Sequence, residues 1–376
     1  MRNNNHRKNL LKDRALSLFE INEKVKVELQ KNRDDEINYK DYLRGLFKFY
    51  RDSVNQLSDR SFDEDLPEGI SRGYLANEIR KCTNALLRAY NSYMEGKLST
   101  AITIMTNKFL TDDFLQTYTL DSNQTWFRAR IKGEGKNGFE PQSMFHIPFE
   151  MRTNVVNYRY SISGHPCLYF GSTILSCWEE MHCPALDDLV VSRLSIRDDS
   201  SVQVVDLRFP EKDMEGDKQK RNLKLLMTWP LIIACSIKTI TPNAPFKFEY
   251  IHPQLLMLAL KEKNGCWGVA YTSTHIDTNM STELSDYTNI AISVRCIKEK
   301  GYCDELAKNI HISRGISFIE AELKNVLDSS NNVSYDNNTG ELCFRTFENG
   351  TMCYRETKFG KLETYLNKYI QPESIQ

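Results

Sequence analysis

Residues 158–181 read YRYSISGHPCLYFGSTILSCWEEM, and three short segments follow one another in them. Tyr158-Arg159-Tyr160 puts a cation between two aromatic rings. Gly164-His165-Pro166 predicts a turn, because glycine leaves φ free and proline sets the next one. Leu168-Tyr169-Phe170 predicts an apolar strand closed by Gly171, and Ser172 opens a helical run ending in Trp178, Glu179, Glu180 and Met181. A strand that delivers a tyrosine and a following helix that delivers a carboxylate place both over one pocket. Arg159, across the turn from Tyr169, is expected to reach that pocket from a neighbouring strand.

Working outward, the 376 residues suffice for two domains or one large one, with 40% hydrophobic and 26% charged residues, as in a soluble globular protein. The formal charge of −1 gives no electrostatic hint of nucleic acid or an anionic membrane, so neither is expected as a partner. No apolar run approaches the length of a membrane span. The polar start, MRNNNHRKNLLKDR, lacks the apolar core of a secretory signal. The 10 cysteines, without a CxxC pair, read as reduced thiols packed as small hydrophobes, so we expect a cytoplasmic protein.

Before residue 118 the apolar spacing is helical. Leu43, Leu46, Phe47, Tyr50 and Val54 predict one helix over 39–54, and Leu75, Ile79, Cys82, Leu86 and Tyr90 another over 74–90. A third is expected over 97–110, and the polar stretch 58–73, with Pro67, Gly69 and Gly73, is expected as a loop. The polar stretch 119–125 is expected as an exposed linker. Beyond it come short strands, predicted at 126–131, 168–171, 190–196, 202–209, 268–273 and 289–295. Helices are predicted at 173–182, 216–238 and 251–263, with Pro230 expected to kink or split the second. The tail predicts strands at 343–347 and 352–358 around an Asn349-Gly350 turn, then a helix at 361–370. Strands mixed irregularly with helices make the fold α+β.

Several motifs carry less than their spelling promises. GEGKNG at 133–138 matches a dinucleotide fingerprint in letters only, since Phe139-Glu140-Pro141 follows instead of a helix. Cys177, His182 and Cys183 do not have the spacing of a zinc site, so no metal is expected. His146 is the histidine most in view. Arg128 and Arg130 share a strand face inside an apolar segment, and either they have a buried partner or the segment is a solvated edge strand. Ser273 ends a strand as Tyr271-Thr272-Ser273, where a hydroxyl is either a turn former or a ligand to phosphate or ribose.

Together, Trp126-Phe127-Arg128, Arg159, Gly164-His165-Pro166, Leu168-Tyr169, Glu180-Met181, Tyr271-Thr272-Ser273 and Asn289-Ile290-Ala291 resemble the RES family, over roughly residues 125–297. Residues 1–118 are similar in kind to the HEPN-like helical domains that precede RES domains in longer proteins. The chain departs from the pattern in the adjacent pair Glu179-Glu180, in a longer segment between Asp277 and Tyr287, and in the residues after 297. The division expected is a helical domain at 1–120, a RES domain at 121–310 and an extension at 311–376.

The resemblance implies a fold similar to ADP-ribosyltransferases and a toxin of a toxin–antitoxin pair that destroys NAD, by hydrolysis or with inorganic phosphate. NAD is then a substrate and not a cofactor. By the same resemblance Glu180 stabilises positive charge on the ribose, and Arg128 and Arg159 hold the pyrophosphate. Tyr169 contacts nicotinamide or ribose, Ser273 contacts a phosphate or ribose hydroxyl, and Arg130 is the spare cation. Transfer of ADP-ribose to a macromolecule and a nucleotide-sensing interaction module are the competing expectations.

Overall fold

The computed structural model describes residues 15–31, 33–34, 37–111, 114–133, 139–210, 217–262, 265–274, 287–324, 326–327, 343–345 and 351–375. Its secondary structure is mixed α and β, in two compact units, Met1–Gln116 with Phe209–Asn264 and Thr117–Arg208 with Gly265–Gln376.

The first unit is helical. Its helices are Leu18–Gln30, Tyr39–Asn55, Asp59–Asp65, Arg72–Met94, Leu98–Phe109, Lys218–Ser236 and Ile251–Glu262. The apolar positions at helical spacing in 39–55 and 72–94 are the ones that are buried. Helix 18–30, not expected, opens with a capping box in which Ser17 and Glu20 satisfy each other's backbone N–H groups. The stretch expected as a loop contains the Asp59–Asp65 helix, because Ser58 accepts the Ser61 N–H at 3.1 Å and starts a turn.

Of the expected kink or split at Pro230, the split does not occur, since helix Lys218–Ser236 is one element across it. A proline at this position leaves the carbonyl four residues earlier without its helical donor. That carbonyl belongs to Leu226, and the Tyr50 hydroxyl donates to it at 2.5 Å. From Leu225 to Ser236 the helix is buried on all sides, which only a core helix tolerates. This helix and Ile251–Glu262 fall within the 121–310 span of the expected division, yet they pack with the N-terminal helices.

The second unit is built on a sheet in the order β1-β5-β6-β7-β3-β2-β4-β8, with β9 also on β4. The strands are β1 Thr117–Leu120, β2 Trp126–Ile131, β3 Cys167–Gly171, β4 Leu189–Ile196, β5 Val202–Leu207, β6 Gly268–Thr272, β7 Thr288–Ser293, β8 Ile310–Ile312 and β9 Ile316–Ser317. Among the described residues of this sheet, only β5 and β6 pair in parallel. β1 pairs with β5 along its whole length, so the expected linker begins inside a strand. Residues 121–124 form a turn in which the Asp121 carboxylate accepts the Asn123 N–H at 2.9 Å.

Strands β10 Cys343–Arg345 and β11 Thr351–Cys353 form a separate antiparallel pair. The second is shorter than expected, because the chain turns into a 3-10 turn at Tyr354–Glu356 and then into helix Lys358–Tyr369. The Asn349-Gly350 turn, the glycine-rich loop from 134 to 138 and the segment from 275 to 286 lie outside the described residues. Among the described residues no helix is long and apolar enough to cross a membrane.

Candidate functional site

Register places the site at the centre of the sheet, on the adjacent strands β3, β7 and β6. Gly171 pairs with Asn289, and Asn289 pairs with Tyr271, so these three form one row across the sheet. Tyr169, Ala291 and Val269 form the next row on the same face. The alternate residues Leu168, Phe170, Ala270, Ile290 and Ile292 belong to one hydrophobic core on the opposite face. One face of these strands is therefore apolar, and the other carries tyrosines, an asparagine and a glycine.

Over that polar face runs helix Ile174–Glu180, capped by Thr173. Glu180 is its last residue, where the helix dipole disfavours a carboxylate. Two donors from the strands compensate. The Ser273 hydroxyl donates to Glu180 Oε1 at 2.6 Å, and the Asn289 amide donates to the same oxygen at 3.0 Å. Both donors are buried while Glu180 is half-buried, so the carboxylate is held from inside and reachable from outside. Both bonds fall on Oε1.

Arg159 lies in a two-residue turn between Tyr158 and Ser161, not on a strand as expected. The turn is tied to β3 by the Tyr169 hydroxyl, which donates to Ser161 Oγ at 3.1 Å. Arg159 donates to Thr274 Oγ1 at 3.3 Å, next in the chain to Ser273. Tyr160 packs on Tyr271 with ring centroids 4.6 Å apart, and Tyr158 meets Tyr169 edge-on at 6.0 Å. Burial, and then the charge of Glu180, hold the Tyr271 phenol well above its ordinary pKa, with Arg159 opposing. Burial likewise raises Tyr169, so both phenols are neutral donors. Tyr169, Glu180, Ser273 and Arg159 are thus brought to one place.

Arg128 is committed differently. Its Nε donates to the Met144 carbonyl at 2.7 Å and its Nη1 to the Tyr169 carbonyl at 2.5 Å. The β2–β3 ladder consists of one pair, Phe127 with Gly171, and beyond it the guanidinium supplies the donor that a neighbouring strand would have given. Arg130 donates to the Phe145 carbonyl at 2.5 Å. The buried partners that these two cations need are main-chain carbonyls. Burial lowers the pKa of both, and Arg130 lowers that of Arg128 further.

His146 is fully buried, and its Nε2 accepts the Cys303 N–H at 2.9 Å. That bond leaves the proton on Nδ1, which faces the Ile147 carbonyl at 2.8 Å. Both ring nitrogens are spent on backbone. Cys177 donates to the Phe127 carbonyl at 3.1 Å and burial pushes its thiol up to about 12, while His182 and Cys183 close the helix with positive φ. No group of three or more His, Cys, Asp or Glu among the described residues is placed to hold a metal ion.

Asn289 is the site residue that reading along the chain left without a role. Its signal was a polar residue in an otherwise apolar strand, TNIAIS, and only the register to Gly171 shows why it is there. A Cβ on Gly171 would meet Asn289 Oδ1 at 2.8 Å and Ser176 Oγ closer still, so the glycine makes room for the asparagine.

No protein-family model matches the chain, and no solved structure matches it. The chain is similar to a protein of Bacillus subtilis (strain 168) named "Putative toxin YopC", 28% identical over 367 residues that cover 93% of this chain and 80% of that protein. At that coverage the similarity spans residues of both compact units.

Proposed function

We propose that this protein is a toxin that destroys NAD by breaking the bond between nicotinamide and ribose, with water or inorganic phosphate as acceptor. The observation that carries the reading is the Glu180 carboxylate, held on one oxygen by Ser273 and Asn289 beside tyrosines and Arg159. The similarity to a protein named as a toxin supports the coarser part of it. A toxin requires restraint in the cell that makes it, so an antitoxin is proposed as the protein partner.

In NAD the nicotinamide nitrogen is positively charged and leaves with the bonding electron pair as a neutral molecule. The ribose gathers positive charge in an oxocarbenium-like transition state. A fixed carboxylate at that sugar stabilises the charge, and its second oxygen orients the attacking water or phosphate. Water yields ADP-ribose and a proton; phosphate yields ADP-ribose carrying phosphate at the ribosyl carbon. The Tyr169 phenol contacts nicotinamide or ribose. Arg159 holds the pyrophosphate or the attacking phosphate through its planar fork, with Ser273 nearby. Arg128 contributes the part of its fork not spent on the Met144 and Tyr169 carbonyls.

The test is to incubate the purified protein with NAD, with and without phosphate, and identify the products. Free nicotinamide is expected, with ADP-ribose or its phosphate as the other product. Glu180→Gln should lose on the order of a hundredfold or more in turnover with little change in NAD affinity. Glu179 is rotated by about 100° on the helix, and its Gln variant should stay active. No nicotinamide release, or full activity in both folded variants, would overturn the reading. Label transferred to a macromolecule would move it to ADP-ribosylation.

A further inference from the structure

The helix that ends in Glu180 begins at Ile174, and the first backbone N–H groups of any helix have no partner within it. Here the first three are all met. Thr173 Oγ1 accepts the Ser176 N–H at 3.0 Å, the local cap. The other two partners come from far along the chain. Glu363 Oε1 accepts the Ile174 N–H at 2.6 Å, and the Tyr354 hydroxyl accepts the Leu175 N–H at 3.4 Å. Tyr354 in turn donates to Glu363. The carboxylate also suits the positive end of the helix dipole.

Packing repeats the arrangement. Leu175 lies in a cluster with Tyr287 and Tyr354, and Ile174 and Cys177 lie in one with Leu362 and Leu366. Trp178 meets Phe359 with ring centroids 5.4 Å apart. Arg193 on β4 donates to the carbonyls of Asn367 and Ile370 at 3.2 and 3.4 Å, holding the far end of the C-terminal helix to the sheet. The site thus has two supports: the strands hold the Glu180 carboxylate, and the segment 354–369 holds the start of its helix.

We infer that Glu363 and Tyr354 are positioning residues for Glu180, and that the C-terminal segment is a working part of the site. Helix 174–180 makes about two turns, so it moves as a rigid piece, and a shift at Ile174 is carried to Glu180. Displacements of about 1 Å can cost a hundredfold in rate. Glu363 accepts the first N–H of the helix, and through the helix it acts on Glu180. The inference about turnover rests on the proposed NAD cleavage; the inference about the helix does not.

The experiment uses the full chain and two readouts, hydrogen exchange of segment 174–180 and steady-state NAD cleavage. Glu363→Ala should raise exchange in that segment several-fold and lower kcat roughly ten- to a hundredfold, with KM for NAD within about twofold. Glu363→Gln keeps an oxygen that accepts both bonds and should restore protection and most of the turnover. Tyr354→Phe, which retains the packed ring, should fall between and serves if the Ala variant does not fold. Unchanged exchange in these variants would overturn the inference, as would full turnover despite raised exchange. A Gln variant as damaged as the Ala variant would overturn it too. If the wild-type chain leaves NAD intact, the proposed function fails and exchange alone decides the helix claim.

Discussion

Glu180 and His146 show how differently two polar side chains are treated in one unit. Glu180 occupies the end of a helix where its charge is unfavourable and is retained there by two donors from neighbouring strands. His146 is closed on both nitrogens, and burial, with Arg128 and Arg130 adding to it, pushes its pKa down to about 4. His252, in the helical unit, is also lowered to about 4 by burial, against its bond to the Leu86 carbonyl. Both rings stay neutral in the fold until near pH 4, whereas in the unfolded chain they protonate from about 6.5. The unfolded state then binds more protons across that window, so stability is intact above about 6.5 and falls as pH drops toward 4. Denaturant midpoints should be level from pH 8 to 7 and lower at pH 5.5 and 4.5. A midpoint unchanged down to pH 4.5 would contradict this.

At the scale of elements, the row Gly171–Asn289–Tyr271 links three strands to the helix above them. Gly171 is required by close approach, since its backbone is not in the left-handed region. Gly171→Ala should push Asn289 and Ser176 aside and loosen Oε1 of Glu180. We expect a stability loss of about 1–3 kcal/mol, typical of overpacking. On the proposed NAD cleavage, turnover should fall at least tenfold, the order of effect expected when a group that acts on the reacting atoms is displaced. Denaturation and kinetics on the same preparation check both, and normal turnover in Gly171→Ala would remove Asn289 from the account. The helix through Pro230 follows similar logic, with a distant hydroxyl, that of Tyr50, repairing what the local sequence breaks.

At the scale of the whole molecule, the helical unit is discontinuous in sequence. Trp229 donates to Asn22 Oδ1 at 2.8 Å, and His252 bonds the Leu86 carbonyl at 3.0 Å, so later helices complete the core of the first. Residues 1–116 alone would expose the surface that covers helix 225–236 and leave several polar groups unmet. That fragment should therefore show no cooperative thermal unfolding by circular dichroism, whereas the full chain should. A sharp transition in the fragment would mean that the bundle is complete before residue 117.

The amino-acid order by itself determined most of the elements. Apolar spacing predicted helices over 39–54 and 74–90 that form as 39–55 and 72–94, because burial on one face imposes its period on the chain, and the run Trp126–Ile131 is a strand as expected. It also drew attention to Tyr169, Arg159 and a carboxylate at the end of the following helix, since polar groups beside apolar strands stand out locally, whereas Glu180 in place of Glu179, and Ser273, were singled out with the resemblance to the RES family. Short strands such as Ile310–Ile312 and the cap at Ser58 were too brief to show a period. Three things were decided only by tertiary structure: the role of Asn289, the commitment of Arg128 to carbonyls, and the hold of Glu363 on the Glu180 helix. Each depends on a hydrogen-bond partner brought near by strand register or by packing of a distant helix, and no local pattern encodes the identity of such a partner.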